Sequence, residues 1–225
     1  DDGIAVAYAL AILDSPEIAH PRLEVVITVS EEVGMEGASG IDLSMLRGHK
    51  LLNIDSEVEG VMTVSCAGGN SSICHLPVGY EQADGIAVNV AVKGLKGGHS
   101  GVEIDKGRAN ANLVAGRLLL ALERKGITFG IAALTGGAKQ NAIPRESAVC
   151  LVCAAEMKDA LLACLHETME HLQREYAVTD PDLHMELTEK TVAGVSVLTQ
   201  ESAHAVSLLV NNLPGYAVVL QKQSS

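Results

Sequence analysis

The start of the chain alternates apolar segments with short polar turns, which predicts alternating helices and strands. Residues 3–13 are almost wholly apolar and follow two aspartates, a pattern typical of a buried helix. Residues 23–29 and 51–54 are short apolar runs bounded by polar residues, as expected of buried parallel strands. With a short helix over residues 38–46 between them, this order predicts an α/β domain with a mostly parallel sheet.

The pattern changes after residue 56. Residues 85–95 alternate apolar and polar positions, which is typical of a half-buried antiparallel strand. The further elements predicted are helices over 108–125, 157–176 and 199–213, and strands over 127–134, 147–154 and 183–187. Without the last helix, the order is β-α-β-β-α-β, the ferredoxin-like arrangement of an α+β domain.

Two unequal domains are expected from these patterns, because 225 residues are more than a typical single domain needs. Residues 1–66 would form part of the α/β domain and residues 67–225 the α+β domain, incomplete at its C-terminal end. The chain opens with aspartate and runs directly into an apolar segment, with no initiator methionine or signal peptide. We therefore interpret it as an internal fragment of a longer chain.

Composition excludes several classes of partner. The net charge of −12 disfavours binding to nucleic acid and to anionic membranes, and an aromatic content of 2% disfavours base stacking. No apolar run reaches the roughly 20 residues that a membrane-spanning helix needs. We expect no nucleic-acid partner and no membrane insertion.

The five cysteines predict a reducing compartment. They are odd in number and lie in apolar surroundings, which argues against a disulfide framework and for a cytoplasmic protein. Cys150 and Cys153 form an isolated C-x-x-C within a predicted strand. A step of three residues along a strand places the two thiols on opposite faces, so we interpret them as structural.

Acidic residues collect at the ends of the predicted strands of the first domain. Glu31 and Glu32 follow one strand, Asp55 follows the other, and Asp1 and Asp2 precede the helix. The carboxyl ends of parallel strands meet at one edge of a sheet, and crowded carboxylates repel one another unless a cation neutralises them. On an extended backbone one of two adjacent glutamates could ligate a metal while the other takes a proton from metal-bound water. The simpler alternative is that these acids are solvated loop residues.

Seven segments, in order along the chain, resemble the aminoacyl-histidine dipeptidases of the dinuclear zinc peptidase superfamily. Three are in the first domain: Asp-Asp-Gly-Ile-Ala at 1–5, Val-Ser-Glu-Glu-Val-Gly-Met-Glu-Gly-Ala at 29–38 and Leu-Asn-Ile-Asp-Ser-Glu at 52–57. The others are Cys-Ala-Gly-Gly at 66–69, Lys-Gly-Gly-His-Ser-Gly at 96–101, Asn-Ala-Asn at 110–112 and Gly-Gly-Ala-Lys-Gln-Asn-Ala-Ile-Pro-Arg at 136–145. The resemblance covers most of the chain.

The resemblance implies a site with two zinc ions, for which cobalt or manganese could substitute. Asp1 corresponds to the aspartate that bridges the metals, Glu32 to a ligand of one and Asp55 to a ligand of the other. Glu31 corresponds to the general base. Residues 1–66 would then be part of the catalytic domain.

The same resemblance makes residues 67–225 a lid, which could also form a homodimer. His99 corresponds to the lid histidine that supports the tetrahedral intermediate. Asn141 and Arg145 correspond to residues that contact the carboxylate or backbone of a small dipeptide, and a guanidinium suits bidentate carboxylate recognition. The implied reaction is hydrolysis of Xaa-His dipeptides.

The chain departs from the family pattern at two metal ligands. The family uses a histidine upstream of the bridging aspartate and another after the lid, and neither has a counterpart in these residues. The fragment is therefore expected to bind metal weakly and to hydrolyse little. Three alternatives stay open: a sibling tripeptidase, an N-acyl amino acid deacylase, and a non-catalytic fragment for dimerisation or binding.

Overall fold

The computed structural model describes residues 2–55, 58–65 and 72–212. The chain divides into two units, Asp1–Gly68 and Gly69–Ser225, and each is described here by itself. Among the described residues, no helix is both long enough and apolar enough to span a membrane.

The first unit contains the predicted N-terminal helix. Helix α1 spans Gly3–Asp14 and begins where the carboxylate of Asp2 accepts a hydrogen bond from the backbone N–H of Ala5, at 3.2 Å. An acidic N-cap satisfies a helix donor that has no intrahelical partner. The predicted burial is wrong, however, because no residue of α1 is buried and Leu10 is 62% exposed.

The predicted parallel strands of the first unit are also wrong. Residues 23–29 and 51–54 are not in strands, and the side chains of Leu51 and Leu52 are 90% and 83% exposed. A strand requires hydrogen bonds to a neighbouring strand, and residues 2–55 and 58–65 form no such ladder. The helix predicted over 38–46 is the shorter α2, Glu36–Gly40.

The second unit has the predicted ferredoxin-like order. Its helices are α3 (Ala111–Arg124), α4 (Lys158–Glu175) and α5 (Gln200–Asn212). Its main strands are β1 (Tyr80–Lys93), β3 (Gly130–Gly136), β5 (Ser147–Cys153) and β6 (His184–Leu198), and two short ones are β2 (Gly98–His99) and β4 (Ala142–Ile143). The main strands form an antiparallel sheet in the order β3-β5-β1-β6. Strand β6 is much longer than the predicted 183–187.

The core of this unit lies between one face of the sheet and the helices. Alternate residues of β1, namely Val88, Val90 and Val92, are at most 1% exposed and pack with Leu118 and Leu122 of α3. The period-two alternation that predicted β1 therefore reflects real burial of one face.

The opposite face of the sheet carries a smaller apolar cluster centred on Ala87, Val152 and Val197. Cys153 belongs to the helix-facing core and Cys150 packs against the smaller cluster, so the two thiols lie on opposite faces as predicted. Burial raises the pKa of both thiols, which agrees with their interpretation as structural residues.

Candidate functional site

Glu31 and Glu32 lie in a single 3₁₀ turn, Glu31–Val33, and both are exposed. This corrects the expectation of an extended backbone, although successive side chains of such a turn still diverge by about 120°. Ser30 and Met35 flank the turn with φ of 60° and 55°, a left-handed conformation that is uncommon for residues other than glycine. Backbone conformations of this kind concentrate at functional sites, which makes the turn a candidate position for catalytic residues.

The described residues do not assemble the predicted metal site. Asp55 is exposed, the carboxylate of Asp2 is engaged as the cap of α1, and Asp1 lies outside the described residues. In the part of the chain that is described, no three His, Cys, Asp or Glu side chains are grouped so that they could hold a metal ion. The roles of Asp1, Glu32 and Asp55 as ligands, and of Glu31 as base, stay predictions.

The second unit brings together the segments that carry His99, predicted to support the tetrahedral intermediate, and Asn141 and Arg145, predicted to contact the substrate. His99 of β2 pairs with Ala142 of β4, and the backbone N–H of Ser100 donates to the carbonyl of Asn141 at 2.9 Å. Arg145 follows directly after β4 and Pro144, and its Nε donates to the carbonyl of Leu95 at 3.3 Å. His99, Asn141 and Arg145 therefore lie on one pair of adjacent segments, and all three are exposed.

The ring of His99 is held in one tautomer. Its Nδ1 accepts hydrogen bonds from the backbone N–H groups of Gly101 and Val102, at 3.0 and 3.3 Å. A ring nitrogen that accepts carries no hydrogen, so in the neutral imidazole the hydrogen is on Nε2. The exposed edge of His99 thus presents an N–H donor.

A carboxylate and a guanidinium hold the backbone around His99. Glu103 accepts a hydrogen bond from the backbone N–H of His99 at 3.0 Å, and this bond is the main reason why the pKa of Glu103 lies below its usual value. Arg108 pairs with Glu103 at 2.9 Å and also donates to the carbonyl of Gly97. Gly98 leaves room for these two side chains, since a Cβ there would lie 2.5 Å from Nη1 of Arg108 and the guanidinium would have to shift.

The sequence interpretation missed Glu103 and Arg108. The only signal was indirect: Gly94, Gly97, Gly98 and Gly101 surround His99, and such a density of glycine indicates close backbone packing. Nothing in the sequence specifies which side chains fill the space that these glycines leave.

Two known dipeptidases are similar to this chain over nearly its whole length. A cytosol non-specific dipeptidase of Escherichia coli (strain K12) is 36% identical over 221 residues, which is 95% of this chain. The solved aminoacylhistidine dipeptidase of Vibrio alginolyticus is 34% identical, with a TM-score of 0.69 over 97% of this chain. Over nearly its whole length the chain is therefore similar to dipeptidases, one of which is an aminoacylhistidine dipeptidase. This confirms the resemblance drawn from the seven sequence segments.

The chain covers less than half of each of these two dipeptidases. This chain spans 44% of the length of the E. coli relative and 46% of the V. alginolyticus chain. Residues 90–180 match the family described as a peptidase dimerisation domain, and this range contains α3, α4, β3, β5 and the end of β1 but not β6.

A groove lies beside Arg145 in the second unit. Its volume is about 590 Å³, and Lys93, Arg145 and Glu146 contribute the charged groups of its wall. Lys93 is paired with Glu186 at 2.7 Å, and its pKa is raised mainly by that hydrogen bond. Arg145 touches the backbone through Nε, and a guanidinium offers further donors for a carboxylate.

Proposed function

We propose that the whole protein hydrolyses dipeptides, with Xaa-His dipeptides as preferred substrates. The observation that carries the proposal is the geometry of His99: Nδ1 accepts two backbone hydrogen bonds, which leaves hydrogen on Nε2, and its strand pairs with the segment that carries Asn141 and Arg145. A preorganised donor of this kind stabilises the negative charge that develops on the scissile carbonyl oxygen. Similarity to two dipeptidases over nearly the whole chain supports the same conclusion.

The remaining contacts would orient the substrate. Arg145 would bind the terminal carboxylate of the dipeptide, because a guanidinium matches a carboxylate with two parallel hydrogen bonds. Asn141 lies next to the His99 segment and would contact the substrate backbone. Fixing the substrate at both points would hold the scissile bond near the donor of His99.

The first unit would supply the hydrolytic groups. Glu31 would act as the general base that takes a proton from the attacking water, and its exposed position in a strained turn leaves it accessible. Asp1, Glu32 and Asp55 would be the ligands of two zinc ions, with further ligands from elsewhere in the whole protein. Bound zinc supplies a Lewis acid and lowers the pKa of water.

The comparisons also support a location and an oligomeric state for the whole protein. The E. coli protein is named for the cytosol, which supports a cytoplasmic location for the whole protein. The match of residues 90–180 to a dimerisation domain supports a homodimer formed through the second unit. That unit would also act as a lid.

The test is hydrolysis by the whole protein of a panel that contains an Xaa-His dipeptide, a tripeptide and an N-acyl amino acid. We expect the dipeptide to be cleaved fastest, and Glu31→Gln to abolish turnover while metal content is retained, because the base is lost and the ligands remain. Preference for the tripeptide would indicate the sibling tripeptidase, and preference for the acylated amino acid a deacylase. Loss of both metals in Glu31→Gln would contradict its role as base.

A second candidate is a non-catalytic dimerisation fragment. The second unit has a continuous core, whereas the described residues of the first unit do not group three possible metal ligands, and this favours the second candidate for the 225-residue chain alone. Light scattering and zinc analysis of this chain decide the matter, because a dimer that holds no metal supports the fragment and bound zinc contradicts it.

A further inference from the structure

Asp180 is a buried carboxylate that the proposed chemistry does not use. It is 1% exposed and lies in the turn that follows α4. Its Oδ1 accepts the backbone N–H of Lys96 at 2.9 Å, and its Oδ2 accepts the backbone N–H of Ala109 at 2.8 Å. These two amides are the ends of the segment 96–109 that carries His99, so one side chain closes that segment at both ends.

The turn that carries Asp180 is itself anchored. The backbone N–H of Asp180 donates to the carbonyl of Tyr176 at the end of α4, at 2.8 Å, and its carbonyl accepts from Leu183 at 3.1 Å. Gly94, at the end of β1, has φ of +80°, and a Cβ there would lie 1.9 Å from the carbonyl oxygen of Asp182. The segment with His99 is therefore docked on the core through this turn.

Hydrogen bonds connect the two ends of the segment to His99. From the Ala109 end, Arg108 reaches Gly97 and Glu103, and Glu103 holds the backbone N–H of His99 at 3.0 Å. The ring of His99 is then fixed by backbone donors of the same segment. If the two ends of this segment moved, Arg108, Glu103 and the backbone donors that orient the ring of His99 would move with them.

We propose that Asp180 is a positioning residue for His99. It holds the segment 96–109 closed, so that Nε2–H points at the site where the carbonyl oxygen of the substrate becomes charged. This inference rests on the proposed function. An asparagine at this position would keep the size of the side chain but would turn an NH₂ group toward one of the two backbone N–H donors, which would leave that donor without an acceptor.

The kinetic test uses the whole protein with Asp180→Asn, and Asp182→Asn as the matched control. Asp182 is an exposed acid two residues away, so its replacement makes the same change of charge without touching the segment. A misplaced donor costs transition-state stabilisation, so we expect Asp180→Asn to lower kcat by about 10- to 100-fold, with KM little changed. Asp182→Asn should behave as wild type.

A double-mutant cycle separates positioning from general structural damage. If Asp180 acts through His99, adding Asp180→Asn to a His99→Ala protein should cause no further loss of kcat. An equal loss in both backgrounds, or a loss confined to KM, would overturn the proposal.

A spectroscopic test on the 225-residue chain is independent of activity. In the wild type we expect slow amide exchange at Lys96 and Ala109, and ring ¹⁵N shifts of His99 that report hydrogen on Nε2 alone. In Asp180→Asn both amides should exchange faster and the ring should show a mixture of tautomers. Unchanged exchange and ring shifts in Asp180→Asn would overturn the role of Asp180, whereas absence of hydrolysis by the wild-type whole protein would overturn the proposed function instead.

Discussion

The two units of the chain contain similar apolar side chains and place them differently. In the second unit, Leu118 of α3 and Leu151 of β5 are at most 1% exposed, inside one continuous core. In the first unit, Leu52 and Val64 are 83% and 93% exposed, and none of its described side chains is buried. Apolar content alone therefore does not decide whether a segment is buried.

The difference lies in where each element finds its hydrogen-bond partners. Helix α1 forms in the first unit because its backbone bonds close within the segment and Asp2 caps its start. A strand depends on segments that are distant in the sequence, and β1 in the second unit is flanked by β5 and β6, more than fifty residues further along. Apolar runs such as residues 51–54 have no such neighbour in the described part of the first unit.

The largest expected effect comes from comparing a buried leucine of the second unit with an exposed leucine of the first. Leu118→Ala removes a buried side chain from the second unit and should lower the free energy of unfolding by about 2–5 kcal/mol, because it leaves a cavity. Leu52→Ala, the matched change in the first unit, should alter it by no more than about 0.5 kcal/mol. Denaturant unfolding of the 225-residue chain measures both. A cost of several kcal/mol for Leu52→Ala would show that the first unit has a core of its own.

The same contrast explains what the sequence could predict about the fold. Alternation in β1 and the helical spacing from Met157 to Tyr176 describe local burial, and both predictions are confirmed. Residues 23–29 have an equally clear apolar pattern, but the described part of the first unit contains no neighbouring strand and the prediction is wrong. Periodicity indicates which face of an element can be buried, but it does not indicate which other segment will cover that face.

For the candidate site, the sequence located the exposed residues and missed their supports. His99, Asn141 and Arg145 were found through family motifs, and the structure brings their segments together. Glu103 and Asp180 were not found, since ordinary acids acquire their roles only from the backbone amides that the fold turns toward them. Such contacts are long-range and leave no periodic signal in the chain.

An intermediate effect on the free energy of unfolding is expected when a glycine with positive φ is replaced by alanine. At Gly94 a Cβ would lie 1.9 Å from the carbonyl oxygen of Asp182, so Gly94→Ala must displace backbone and should cost about 2–3 kcal/mol of unfolding free energy. Gly60 in the first unit has φ of +76° and nothing within 4 Å, so Gly60→Ala should cost about 1 kcal/mol from conformation alone. Thermal unfolding of the two variants gives the ranking, and equal costs would mean that packing against Asp182 contributes nothing.

The smallest expected effect is the pH dependence of two loops, one in each unit, that are each held by a carboxylate. Glu24 of the first unit accepts the backbone N–H groups of Arg47 and Gly48 at 2.8 and 2.7 Å, and Glu103 of the second accepts that of His99. In both residues the pKa is lowered from its ordinary value of 4.5, primarily by these hydrogen bonds.

A lowered pKa in the folded state means that each carboxylate stabilises its loop fully above the unfolded value, and that this stabilisation is lost as the pH falls through the folded value. Amide exchange of Gly48 and His99, followed as the pH is lowered through 4.5 and below and corrected for intrinsic rates, should show both amides losing protection. Glu24→Gln and Glu103→Gln should remove that pH dependence, each at its own amide only. If acid releases His99 and leaves Gly48 protected, the Glu24 loop is held by contacts other than its carboxylate. The two units would then differ in the contacts that hold their loops, as they already differ in the burial of their apolar side chains.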